Sequence, residues 1–192
     1  MEKWRQMLEE LKKEEEAWMK KRRRPCGETN GTEIAKKIVG YINGLEEEKK
    51  NKVTTELIRE METTYHKNLI KSYAYILSDI KCQKAVQSLI QLIYRPDLKS
   101  IRGNFLDALG ELDCAEAIPL LIPLLFQRDS YEVRWDMHIL LEEWGPKLNE
   151  EARNYCLCYI RKELEELEDT LYRGYDVYEN VLKGEPFWEE DK

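Results

Sequence analysis

The feature that most constrains this chain is a segment that recurs. Ile101–Leu125, IRGNFLDALGELDCAEAIPLLIPLL, reads as two amphipathic helices joined at ELDCAE. With an offset of 32 residues, Tyr73, Leu77, Ile80, Cys82 and Ala85 fall under Phe105, Leu109, Leu112, Cys114 and Ala117. Val86, Leu89, Ile90, Leu92 and Ile93 then meet Ile118, Leu121, Ile122, Leu124 and Leu125. The same offset forward carries Ile101-Arg102 onto Val133-Arg134, and Phe105, Leu109 and Leu112 onto Met137, Leu141 and Trp144. A weaker copy lies one step back, where Tyr41, Leu45, Val53, Leu57, Ile58 and Met61 meet Tyr73, Leu77, Ala85, Leu89, Ile90 and Ile93. A fixed period of this length is the signature of stacked supersecondary units, each unable to bury its apolar face alone.

The register predicts an all-α protein of four helix pairs. First helices are expected at 32–46, 66–80, 99–112 and 131–144, and second helices at 48–63, 83–95, 115–127 and 149–170. Residues 1–24 read as an amphipathic capping helix with Trp4, Leu8, Leu11 and Trp18 on one face, and 25–31 as a linker. The array then occupies 32–192, with LYRGYDVYENVL as a closing segment before a polar tail that holds Phe187-Trp188. Asp113 and Glu116 have the spacing of a capping box. Asn30-Gly31-Thr32 is expected to form a turn. Pro123, deep in a second helix, is expected to bend it. Strand signals are nearly absent.

Several residues in order carry a resemblance: Ile101-Arg102, Leu109-Gly110, Asp113, and Ala117-Ile118-Pro119. Residues 99–127 resemble a HEAT repeat of the phycobilin-lyase-like kind; 66–95 and 131–160 do so less closely, and 32–63 poorly. The resemblance implies an α-solenoid. It brings no catalytic residue with it.

The formal charge of -7 argues against a general affinity for polyanions. No apolar run is long enough for a membrane span, the N-terminus lacks a signal core, and five scattered cysteines suit free thiols in a reducing cytosol. The expected location is therefore the cytoplasm. His66 and His138 read as solvated or core-edge residues. Cys156 and Cys158 point in divergent directions on a helix and cannot share a metal. Arg134-Trp135-Asp136 has the letters of an alkylpurine glycosylase site but is contiguous on one helix. No phosphate loop or hydrolase motif is present. The sequence thus points to no catalysis, no cofactor, no metal, no nucleic acid and no membrane.

Charge is uneven along the chain. Residues 1–24 carry nine cations against six carboxylates, whereas 142–192 carry seven against fifteen. In a HEAT-like stack the second helices line the concave side. Their non-core positions run from Lys52, Thr55 and Arg59, through Lys84 and Arg95, to acidic ones. The expected surface for a partner comprises Gln87, Gln91, Glu116, Gln127, Glu142, Glu143, Glu150, Glu151, Asn154 and Tyr155. The expected function is non-catalytic binding of a basic protein by a monomer or weak dimer, as a small bacterial adaptor or an immunity-type inhibitor covering, for example, a nuclease toxin. Two alternatives stand beside it: a lyase-like or chaperone-like helper for tetrapyrrole attachment, implied by the resemblance, and a structural piece of a larger assembly.

Overall fold

The structure is a computed structural model. It describes residues 3–20, 30–127, 130–167 and 175–184, and within these all side chains except those of 18–20, 30–31, 166–167 and 175–177. The side chains of Trp18, Lys20 and Leu167 are therefore not described, and residues 21–24, Leu171 and the Phe187-Trp188 tail lie outside the described residues, as does most of the expected linker. Among the described residues the protein is all-helical and has no strand. The α-helices are α1 (Lys3–Lys20), α2 (Asn30–Asn43), α3 (Glu47–Thr63), α4 (Lys67–Asp79), α5 (Val86–Ile93), α6 (Arg102–Gly110), α7 (Ile118–Leu121), α8 (Tyr131–Trp144), α9 (Glu150–Leu167) and α10 (Tyr175–Lys183). None of them is long and apolar enough to cross a membrane. The chain forms two compact units, Met1–Leu112 and Asp113–Lys192.

In the first unit, α1, α2, α4 and α6 pack in succession as one layer, while α3 packs on α4 and α5. The apolar spacing of α1 places Trp4, Leu8 and Leu11 on one face, and all three are buried. That stripe is spent inside the unit, against α2 and α4. Glu15 continues the same face, is also buried, and accepts a hydrogen bond from Ser72 Oγ at 3.3 Å. Ion pairs Arg5–Glu56 (3.0 Å) and Lys12–Glu60 (3.2 Å) flank the contact with α3. α4 buries Leu69, Ile70, Tyr73, Ala74, Ile76 and Leu77. The turn after α4 holds Lys81, whose φ of 54° is left-handed, with Cys82 N donating to Leu77 O at 2.9 Å.

Polar bridges repeat at about one period. Lys67 reaches Ser100 (3.1 Å), Lys84 reaches Asn51 Oδ1 (2.8 Å), Arg95 reaches Glu62 O (3.3 Å), and Lys81 reaches both the backbone carbonyl (3.0 Å) and the carboxylate of Glu111.

In the second unit, α8 packs on α7 and on the 3-10 turn Ile122–Phe126 that follows it, and α9 packs on the same two segments. α10 closes the unit against α9, α8 and the 3-10 turn Gly145–Lys147, burying Tyr178, Val181 and Leu182. Gly145 lets α10 approach this turn closely. Its φ is an ordinary -55°, but an added Cβ would lie 3.0 Å from Leu182 Cδ2 and 3.6 Å from Leu182 Cα. His138 stacks on Tyr178, with centroids 5.6 Å apart and planes 12° apart.

Three local expectations change. The second helix of the third pair is not continuous: Pro123 removes a donor after α7, and the chain goes on as a 3-10 turn. The Asp113-x-x-Glu116 capping box does not form. The 3-10 turn Ala115–Ala117 starts one residue late for it, and Cys114 takes the cap position without a side-chain cap bond. Side-chain caps occur instead at Ser130, which accepts from Val133 N (3.3 Å), and Asn149, which accepts from Ala152 N (2.8 Å). Finally, α2 starts at Asn30, so Asn30-Gly31-Thr32 opens a helix.

Two predictions follow from these contacts. Tyr73 is fully buried, and its hydroxyl has no hydrogen-bond partner among the described residues. Burial, with Glu60 and Glu9 nearby, pushes its phenol pKa up. The repeat places Phe105 at the same register. Tyr73→Phe should therefore stabilise the protein by about 1 kcal/mol in chemical denaturation, because it removes an unsatisfied buried polar group without changing shape.

His138 is lowered from 6.5 to about 4, first by burial and then by Arg134. Between those values the unfolded chain takes up a proton that the folded chain does not. This contribution to stability is complete above pH 6.5 and is lost as pH falls through 4. His138→Phe should flatten the melting temperature against pH in that window; an unchanged slope would contradict it.

Candidate functional site

The residues expected to meet a partner fall in both units. Gln87 and Gln91 stand exposed on α5 of the first unit. In the second unit Glu116, Glu142, Glu143, Glu150, Glu151, Asn154 and Tyr155 are exposed, and Gln127 is half-buried. Glu142, Glu143, Glu150 and Glu151 lie at the end of α8 and the start of α9, either side of the Gly145–Lys147 turn. Lys147 in that turn sits 3.4 Å above the Trp144 ring. The buried Cys114 thiol registers this acidic surrounding: burial, then Glu143 and Asp113, push its pKa up to about 12.

The basic half of the second-helix row is used up locally. Lys52 pairs with Glu48 (3.0 Å), Lys84 bonds Asn51 (2.8 Å), and Arg95 pairs with Asp97 (2.7 Å) as well as reaching Glu62 O. The Arg95 contact holds the Asp97 carboxyl below its ordinary value.

A concavity in the first unit lies elsewhere. An open groove of about 620 Å³ runs over the layer formed by α1, α2, α4 and α6. Among the described residues its carboxylates are Glu15, Asp79, Asp107 and Glu111, and its one cation is Lys71. Ser72, Tyr75, Ser78, Asn68 and Asn104 supply hydroxyls and amides. Glu111 is partly offset by Lys81, so the groove remains acidic. Asp107 stands on the accessible wall, yet the low-dielectric surroundings raise its carboxyl pKa. Reasoning on second helices missed this groove. The same period contains it: Ser72, Tyr75 and Asp79 lie 32 residues before Asn104, Asp107 and Glu111.

No family model, curated protein or solved structure matches the chain. The HEAT resemblance therefore rests on the residues that carry it.

The chemistry on offer is recognition of a cation. Among the described residues no three His, Cys, Asp or Glu side chains gather as a metal site. Cys156 is buried, with its pKa pushed up to about 11, whereas Cys158, two residues on, is exposed. Arg134, Trp135 and Asp136 are half-buried, exposed and half-buried on successive faces of α8, and they do not converge.

Asp107 supplies a test of the groove. A carboxyl whose folded pKa is raised gives stability when protonated, and this is lost as pH rises through the folded value. Asp107→Asn should raise the melting temperature at pH 7, and the gain should vanish below pH 3.8, where the carboxyl is protonated in both states. A destabilised Asp107→Asn at pH 7 would contradict this reading of the groove wall.

Proposed function

We propose that this chain is a non-catalytic protein-binding module built of HEAT-like helix pairs, and that it covers the basic face of another protein. The layering of the first unit supports the repeat reading: successive first helices pack side by side, with second helices behind them. The observation that carries the functional reading is the acidic groove over that layer, four carboxylates against one lysine in about 620 Å³. Arrays of this type bind through continuous surfaces, and a groove of one sign concentrates counter-charged partners.

The role is that of a cytoplasmic adaptor or an immunity-type inhibitor, acting by occlusion. The second unit carries exposed carboxylates of its own, Glu142, Glu143, Glu150 and Glu151.

The test is binding to basic proteins at two ionic strengths, with an acidic protein as control. Association should weaken severalfold between about 0.05 and 0.5 M salt, as screening shortens the reach of the charges. Asp107→Asn with Glu111→Gln should weaken it further at low salt. Binding that ignores salt and both substitutions would overturn the reading.

A further inference from the structure

Helix α8 is apolar on two opposite sides. Val133, Met137, Leu140 and Leu141 are buried and form its inner face. At about 100° per residue, Tyr131, Trp135 and Ile139 form a second stripe roughly 180° away. These three side chains are 69%, 45% and 47% exposed. The Tyr131 and Trp135 rings are stacked, with centroids 6.4 Å apart and planes 18° apart, so they present one continuous apolar surface. A helix with apolar residues all round is normally enclosed. Here the outer stripe is uncovered among the described residues, and contiguous exposed apolar surface of this kind marks contact sites.

The charges around the stripe select the occupant. Glu142 extends the stripe at its C-terminal end, and Glu132, Asp136 and Glu143 line one flank. Arg134, on the far flank, is half-buried. A second copy of this chain brings the same carboxylates, so antiparallel pairing of two such stripes sets acid against acid. The chain's own tail, EPFWEEDK, is acidic as well.

We infer that the α8 stripe docks an amphipathic helix of the basic partner, one whose apolar face meets Tyr131, Trp135 and Ile139 and whose lysines or arginines meet Glu132, Glu142 and Glu143. This rests on the reading that the partner is basic. It adds the kind of segment that is recognised and a place in the second unit. Apolar anchors supply the affinity and the flanking acids the orientation.

The experiment uses the full chain and three synthetic helices of about 18 residues: leucine face with lysine flanks, leucine face with glutamate flanks, and serine face with lysine flanks. Titration followed by anisotropy should show binding of the first alone. Trp135→Ser with Ile139→Ser, its helix content checked by circular dichroism, should weaken that binding by about tenfold or more. The groove pair Asp107→Asn and Glu111→Gln should weaken it far less than the stripe variant does.

Equal binding of the glutamate-flanked helix, or wild-type affinity in the stripe variant, overturns the inference. So does a concentration-dependent mass in light scattering that the stripe variant abolishes, since the occupant is then a second copy. Loss of binding to whole basic proteins in the groove variant, together with no binding of any helix, leaves the broader reading standing and removes this one.

Discussion

The first unit depends on the burial of α4. Ile76, Ile80, Tyr73, Leu77, Ile70, Ala74 and Ser78 are all buried, and together they span about 200° of the helix circumference. One neighbour covers a far narrower stripe, so α4 needs α1, α2, α3 and α6 together. This is the logic of stacked helix pairs in miniature: each element is half-finished until the next arrives. It also fixes the role of α1, whose Trp4, Leu8 and Leu11 complete the enclosure at one end of the layer.

Most of this was legible because apolar positions repeat. The offset that aligns Tyr73 with Phe105 and Leu89 with Leu121 placed the helices nearly where they stand. It failed where local chemistry overrode the period. Pro123 lies at an apolar-compatible register, yet its missing N–H ends α7 after four residues. The cap at Asp113 had the right spacing, but the chain enters its helix through a 3-10 turn that shifts the start. The acidic groove escaped notice for another reason. Its acids lie along the first helices and not on the second-helix row expected to face a partner: Asp79 and Glu111 recur at 32 residues as faithfully as the core, and Glu143 continues the series. A repeating polar position carries information when the elements bearing it pack side by side.

α8 shows where periodicity misleads. Two apolar stripes on opposite sides of a helix nearly cancel in any one-sided measure of amphipathicity. The segment YEVRWDMHILLEEW therefore looks weakly patterned, although each stripe is well formed. Only burial distinguishes the stripe that builds the core from the one that faces outward. His138 sits between them, half-buried against Tyr178, and its suppressed protonation keeps a charge away from the joint with α10.

The charge imbalance acquires a different meaning once the cations are followed to their partners. Lys67, Lys84 and Arg95 spend hydrogen bonds on a hydroxyl, an amide and a backbone carbonyl one repeat away. These bridges join segments about one period apart, and Arg95 also pairs with Asp97. Lysine and arginine thus serve partly as cross-repeat ties, and many acids, Asp107 and Glu142 among them, stay on accessible surface. Exposed ion pairs contribute little to folding, and at Asp107 the surroundings disfavour the charged carboxyl. Some of these acids gather at two places, along the groove of the first unit and beside the outer apolar stripe of α8.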